Sequence, residues 1–270
     1  QKNDGGNARI AETMFRYFRF PNTFEDFVYL SQVQQGLAID TAVRHWRAQK
    51  PRCMGALYWQ LNDTWPCASW SSLDYGGGWK LLHHMAKRFF EPVTLSVVPV
   101  GDGYACLAVN DRAGAIDITL TVSALSLDGT VRPLKETTAS VPTDKAAEIA
   151  FVLKRDVSED ELLLLEWASP AGNGSLHFAP NPYKSYALRP SGLKLESTPG
   201  PDTTTLTLSS DALALFASVE ASRPGRFSDN AVLVRPGAPV TLTFTPEDRD
   251  ASVIFTPRDL HSATYLKDPS

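Results

Sequence analysis

The period of the apolar residues changes near residue 92, and that change limits what the chain can fold into. Before it, Phe27, Leu30, Val33, Leu37, Thr41 and His45 follow steps of three and four, which predicts one helical stripe. Thr23 precedes the stripe as a candidate N-cap, with Glu25 and Asp26 in the first turn, where carboxylates favour the helix dipole. Lys50 and Pro51 end it with a basic last turn and a residue that cannot continue a helix. Met54 to Leu61 is then short and nearly all apolar, which predicts a strand buried on both faces, as in a parallel sheet. A loop from Asn62 to Gly78 follows. Trp79, Leu82, Met85, Ala86, Phe89 and Phe90 return to helical spacing until Pro92. Helix, buried strand, loop and helix is the rhythm of a (β/α)8 TIM barrel, of which residues 1–91 would hold only a part.

From Thr94 onward the period is two. Ile116 to Val122 alternates strictly, and Gly101-Asp102-Gly103 and Asp128-Gly129 mark turns. Tyr104 to Asn110, Glu148 to Leu153, Glu161 to Trp167 and Tyr183 to Leu188 add candidate strands. About seven strands in about a hundred residues suits an immunoglobulin-like β-sandwich over 92–188. A second, smaller Ig-like sandwich is expected over 189–270. Its strands would be Lys194 to Ser197, Thr203 to Ser209, Ala214 to Ala221, Ala231 to Val234, Val240 to Phe244 and Ser252 to Thr256. The fold class is thus α/β plus all-β.

The bulk properties narrow the partners. A formal net charge of -4 provides no basic field for nucleic acid. Apolar runs such as Leu162 to Leu165 are far too short for a bilayer, so no membrane is expected. Cys53, Cys67 and Cys106 form neither a disulfide framework nor a metal spacing. His83-His84 lacks a third ligand nearby, so neither a metal nor a cofactor is expected. The chain opens at Gln1 on a polar, Gly-bearing stretch without an initiator Met, which reads as the middle of a longer protein.

In a barrel, working residues sit at strand C-terminal ends and on the loops that follow. That rule selects Trp59, Gln60, Asn62, Asp63 and Trp65, with Trp70, Asp74 and Tyr75 further along. Indole faces stack on the C–H face of a pyranose while amides and carboxylates take its hydroxyls, so the loop suits a sugar. The same tryptophans also suit a packed core, and Asn62-Asp63 also suits a turn.

The stretch Gly55-Ala56-Leu57-Tyr58-Trp59-Gln60-Leu61-Asn62-Asp63-Thr64-Trp65-Pro66, continued by Ala68 to Tyr75, resembles the last barrel strand and loop of β-mannosidases of glycoside hydrolase family 2. Trp79 to His84 and Ala86 to Phe90 resemble the barrel helix that follows, and Tyr29 to Gly36 the helix before. Gly225-Arg226-Phe227-Ser228-Asp229-Asn230 is similar to the start of a strand in the family's last domain. Gly76-Gly77-Gly78 departs from the family, where bulkier residues are more usual.

The resemblance implies a retaining exo-β-mannosidase acting on terminal β-D-mannose of oligosaccharides, with this chain as its C-terminal segment and the N-terminal part of the same enzyme as partner. It places Trp59 on the wall of the mannose subsite, and Asn62, Asp63 and Trp65 on the pocket rim. Trp70, Asp74 and Tyr75 would be structural. The family's acid/base follows an Asn and its nucleophile follows a Ser, both at buried strand ends. Neither context occurs here, since Ser158-Glu159 lies between Asp156 and Asp160 on an expected surface turn. No catalytic residue is therefore assigned, and both glutamates are expected upstream. Two alternatives stay open: a non-catalytic carbohydrate-binding or interaction module of two sandwiches, and a relative that cleaves β-galactosides or β-glucuronides.

Overall fold

The structure, a computed structural model, describes residues 4–248 and 252–265. It opens with helices α1 (Gly6–Tyr17) and α2 (Phe24–Arg47), with α3 (Leu81–Phe89) beyond a long irregular segment. Thr23 caps α2 as its spacing predicts, its Oγ1 accepting from the Asp26 amide at 3.2 Å. The stripe Tyr29, Leu30, Val33 and Val43 is buried. Gly36 lets α3 approach closely, because a Cβ there would overlap the Met85 side chain.

Seven strands follow: β1 (Val93–Val100), β2 (Gly103–Asn110), β3 (Ile116–Ser126), β4 (Val131–Val141), β5 (Lys145–Leu153), β6 (Glu161–Ser169) and β7 (Gly172–Phe178). They form two antiparallel sheets, β1-β2-β5 and β4-β3-β6-β7. Leu95, Cys106 and Val152 from one sheet and Ile118, Leu120, Leu163 and Leu165 from the other share one core. Strand β6 carries the unalternating run Leu162–Leu165 because both of its faces are covered. Leu163 and Leu165 point into the sandwich, while Leu162 and Leu164 join a second core under the helices.

The last unit comprises β8 (Lys194–Pro199), β9 (Thr204–Ser209), β10 (Ala214–Ala221), β11 (Gly225–Phe227), β12 (Val232–Val234), β13 (Val240–Pro246), β14 (Phe255–Arg258) and the short helix α4 (Leu260–Thr264). Sheets β11-β13-β9-β8 and β12-β10-β14 enclose Leu206, Leu208, Val219, Leu242 and Phe244.

The helical layer lies where the two sandwiches meet, and one core runs through Leu30, Leu82, Phe89, Leu164, Tyr186, Phe216 and Leu260. Charged side chains fix the junctions. Arg44 donates to Thr94 Oγ1 (2.9 Å) and the Leu95 carbonyl (2.6 Å), and its Nε reaches Asp40 (2.8 Å). Arg47 spans the Phe89 and Glu91 carbonyls and Asp111. Arg88 reaches Asp229 and the carbonyls of Asn230 and Ala231, tying α3 to the second sandwich. Arg258 pairs with Asp26, and Tyr29 Oη donates to the Phe216 carbonyl at 2.8 Å. Guanidinium suits such junctions because it satisfies several carbonyls at once without losing its charge.

Three expectations need correction. Met54 to Leu61 is extended, but no strand pairs with it among the described residues. Instead of being buried, Leu57 is 95% and Trp59 73% exposed. An apolar strand needs neighbours on both edges, and the described residues provide none. Tyr183 to Leu188 is a single 3-10 turn (Tyr183–Ser185) followed by irregular chain. Its apolar character reflects Tyr183, Tyr186 and Leu188 packing into the core under the helices. The structure also adds α1, α4, β4, β7 and β11, which the period did not reveal. The outer limits of the expected division, Gln1 and Ser270, lie outside the described residues.

Candidate functional site

The large exposed apolar side chains concentrate on one segment. Met54, Leu57, Trp59, Leu61, Trp65, Trp70 and Tyr75 are each about half exposed or more. The segment nevertheless has a defined backbone. The Ser72 and Leu73 amides donate to the Gln60 and Leu61 carbonyls at 3.0 and 2.7 Å. Asn62 and Leu73 form a parallel bridge, Leu73 and Trp79 an antiparallel one, and the Trp59–Gln60 peptide is cis. Leu81, the first residue of α3, donates its amide to Gln32 Oε1 on α2 at 3.0 Å. The loop is thereby anchored on both flanking helices.

Asp63 is the buried centre of the loop, 4% exposed. Ser69 Oγ donates to Oδ1 at 2.5 Å and Ser71 Oγ to Oδ2 at 2.6 Å. Lys80 Nζ lies 3.3 Å from Oδ2 and donates to Ser71 Oγ at 2.7 Å. Burial by itself would push the Asp63 carboxyl up. The two serine hydrogen bonds and the Lys80 charge outweigh it and hold the carboxyl below the ordinary aspartate value. Both oxygens are occupied, so Asp63 acts on the loop, folding Thr64 to Trp70 back over itself. At the far end Asp74 Oδ1 accepts from the Gly78 amide at 2.8 Å, and Gly77 has φ +86°, a conformation glycine adopts without strain. This is the local shape that Gly76-Gly77-Gly78 allows.

The sequence points to four residues as substrate contacts. Trp59, Asn62 and Trp65 are exposed, while Asp63 is buried. Sequence reasoning missed Ser69, Ser71 and Lys80, which bond Asp63, and Ser72 and His83, which meet the chain on either side of Trp59. Ser72 Oγ donates to the Leu61 carbonyl at 3.1 Å, accepts from Tyr58 Oη at 2.9 Å, and lies 3.0 Å from His83 Nδ1. Serines flanking Trp70 near an Asp carry no spacing signal, so only folding reveals them.

His84 is different. It is 1% exposed, its Nδ1 has no hydrogen-bond partner, and burial followed by the Arg88 charge pulls its pKa down to about 3. It is a neutral packing residue behind Trp79. Among the described residues no cluster of three or more His, Cys, Asp or Glu could hold a metal ion, and no helix is long and apolar enough to cross a membrane.

A family model of an Ig-fold domain found in mannosidases matches residues 188–262, the second sandwich. Over 271 residues the chain is 31% identical to the β-mannosidase of Capra hircus, covering 85% of this chain and 29% of that protein. The Mus musculus β-mannosidase is also 31% identical, covering 87% and 30% respectively. The chain belongs to the family 2 β-mannosidases and corresponds to their C-terminal part. It spans under a third of the length of the β-mannosidases it matches. The fold agrees with a solved β-D-mannosidase from Dictyoglomus thermophilum, with TM-score 0.83 and 23% identity over 94% of this chain and 32% of that one. It agrees less closely with the exo-chitosanase CsxA of Amycolatopsis orientalis, with TM-score 0.67 and 20% identity over 90% and 35%.

Proposed function

We propose that this chain is the C-terminal part of a retaining exo-β-mannosidase that releases terminal β-D-mannose, and that Trp59 forms one wall of the pocket for that sugar. The observation that carries the reading is an exposed indole at the end of an apolar segment whose following loop is fixed by the Asp63–Ser69–Ser71–Lys80 cluster. An exposed tryptophan on a rigid backbone loses little entropy on stacking against a sugar face. Asn62 and Trp65 would line the rim. Asp63, also a rim residue in this reading, would act through the loop it holds.

In the same reading residues 1–91 are the last part of a (β/α)8 barrel, 92–188 one sandwich and 189–270 another. Met54 to Leu61 becomes the last barrel strand when earlier strands flank it, which accounts for an apolar run left uncovered here. Retention requires two carboxyl groups about 5–5.5 Å apart, one as nucleophile and one as acid and then base. Among the described residues no carboxylate of the loop after Trp59 fits either role, since Asp63 is occupied and Asp74 holds a turn. That pair is therefore assigned to the upstream part of the enzyme.

The test is Trp59→Ala in the enzyme that joins this chain to its upstream part. Loss of one stacking indole should cost about 1–3 kcal/mol of transition-state binding on an aryl β-mannoside, with melting temperature nearly unchanged. A collapsed melting temperature with unaltered kcat/KM would instead make Trp59 a packing residue. Preference for an aryl β-galactoside or β-glucuronide would replace mannose.

A further inference from the structure

The second sandwich reaches the candidate site through β11. Arg226, on β11, places its guanidinium carbon 5.2 Å from the Trp79 ring centroid, within cation–π range. Trp79 in turn meets His83 edge-on at 4.4 Å and 70°. His83 Nδ1 is at hydrogen-bond distance from Ser72 Oγ, and Ser72 Oγ also meets the hydroxyl of Tyr58, just before Trp59, and the carbonyl of Leu61, two residues after it. The Ser72 amide also holds the Gln60 carbonyl at 3.0 Å. A serine hydroxyl has one proton. While that proton serves the Leu61 carbonyl, His83 must donate from Nδ1, so the imidazole tautomer decides whether Leu61 stays held.

We propose that Arg226 is a positioning residue for the pocket wall, acting from the second sandwich through Trp79, His83 and Ser72 to fix the Tyr58 side chain and the backbone that follows Trp59. This rests on the reading of Trp59 given above. The charge of Arg226 has a second effect on the same path. Burial first, and then the Arg226 charge, lowers the pKa of His83. Lys80 immediately precedes α3 and faces Asp63, while Lys87 and Arg88 lie in the last turn of that helix. Removing Arg226 therefore takes away both a ring contact and a charge, whereas Arg226→Lys keeps the charge.

The experiment compares wild type, Arg226→Ala and Arg226→Lys in two settings. In the 270-residue chain, the His83 ring signals are titrated and the Trp59 and Trp79 indole N–H signals are recorded by NMR. The proposal expects Arg226→Ala to raise the His83 titration midpoint and move both indole signals, with Arg226→Lys staying close to wild type. In the enzyme joined to its upstream part, Arg226→Ala should lower kcat/KM for an aryl β-mannoside about two- to fivefold, the scale of an exposed cation–π contact. Arg226→Lys should recover most of that loss. His83 and Trp59 signals that stay put in Arg226→Ala would overturn the proposal, as would equal losses in both variants. An enzyme inactive on every β-mannoside would instead remove the mannosidase reading, and the NMR comparison would still decide whether Arg226 positions Trp59.

Discussion

Leu162–Leu165 and Met54–Leu61 are both short, unbroken apolar runs, yet one is fully buried and the other lies open. In β6 every one of the four leucines is at most 1% exposed. The sandwich core covers one face, and the core under the helices covers the other. In the Met54 segment Leu57 is 95% and Leu61 56% exposed. A continuous apolar run states that both faces want cover, but it does not state whether the same stretch of chain supplies it. The β6 neighbours β3 and β7 are close in sequence. The neighbours of the Met54 segment, in the barrel we propose, come from farther upstream.

The largest effects should separate these two runs. Leu164→Ala leaves a cavity between β6 and the helical layer, and we expect a loss of about 2–5 kcal/mol by urea unfolding. Leu57→Ala in the 270-residue chain should change stability by less than about 0.5 kcal/mol. In the enzyme joined to its upstream part, the same Leu57→Ala should cost about 2–5 kcal/mol, because the barrel would then cover that side chain. Equal effects of Leu57→Ala in both settings would break the comparison and remove the barrel strand.

A smaller effect concerns the loop that follows the open run. Asp63→Ala leaves Ser69, Ser71 and Lys80 without their shared acceptor and should destabilise the loop by about 1–3 kcal/mol. The Asp63 carboxyl is held below its ordinary value of 3.8, so its contribution is full above that value and lost as pH falls through the lower folded value. The difference between wild type and Asp63→Ala should accordingly shrink in strong acid. A difference that is constant down to low pH would mean that the ionised carboxylate is not what holds the loop.

His84 gives the most local test. Its folded pKa is about 3 against an ordinary 6.5, so the unfolded chain binds a proton that the folded one refuses. Stability from this group is full above pH 6.5 and declines as pH falls from 6.5 toward about 3, by at most about 1.4 kcal/mol per pH unit. His84→Leu should flatten the decline between pH 6 and 4.5, a range chosen to lie above most carboxylate titration. An unchanged slope would show that His84 is protonated in the folded state.

These contrasts also show why parts of the molecule were readable beforehand. The Thr23 cap, α2, α3 and the alternating Ile116–Val122 carry their period openly, because one face meets a core and the other meets solvent. Strand β4 hid because it is mostly exposed or half-exposed on both faces and carries Lys135, Glu136, Thr137 and Thr138, a polar edge with no stripe. Strand β7 hid behind Gly172, Asn173 and Gly174, residues that more often mark turns. Helix α1 begins on glycine and asparagine and has no side-chain cap. At the site, Trp59, Asn62, Asp63 and Trp65 were reachable from their place after an apolar run. Their supports were not, because Ser72, Lys80 and His83 meet them only after the chain has turned back through the loop.

The central claim is that this chain supplies a wall of the mannose pocket while the reacting carboxylates come from elsewhere in the enzyme. The direct measurement is hydrolysis of an aryl β-mannoside by the purified 270-residue chain, beside the enzyme that joins it to its upstream part. The account predicts turnover by the joined enzyme and none by the 270-residue chain. Detectable turnover by the 270-residue chain would contradict it, and would place both catalytic carboxylates among residues 1–270.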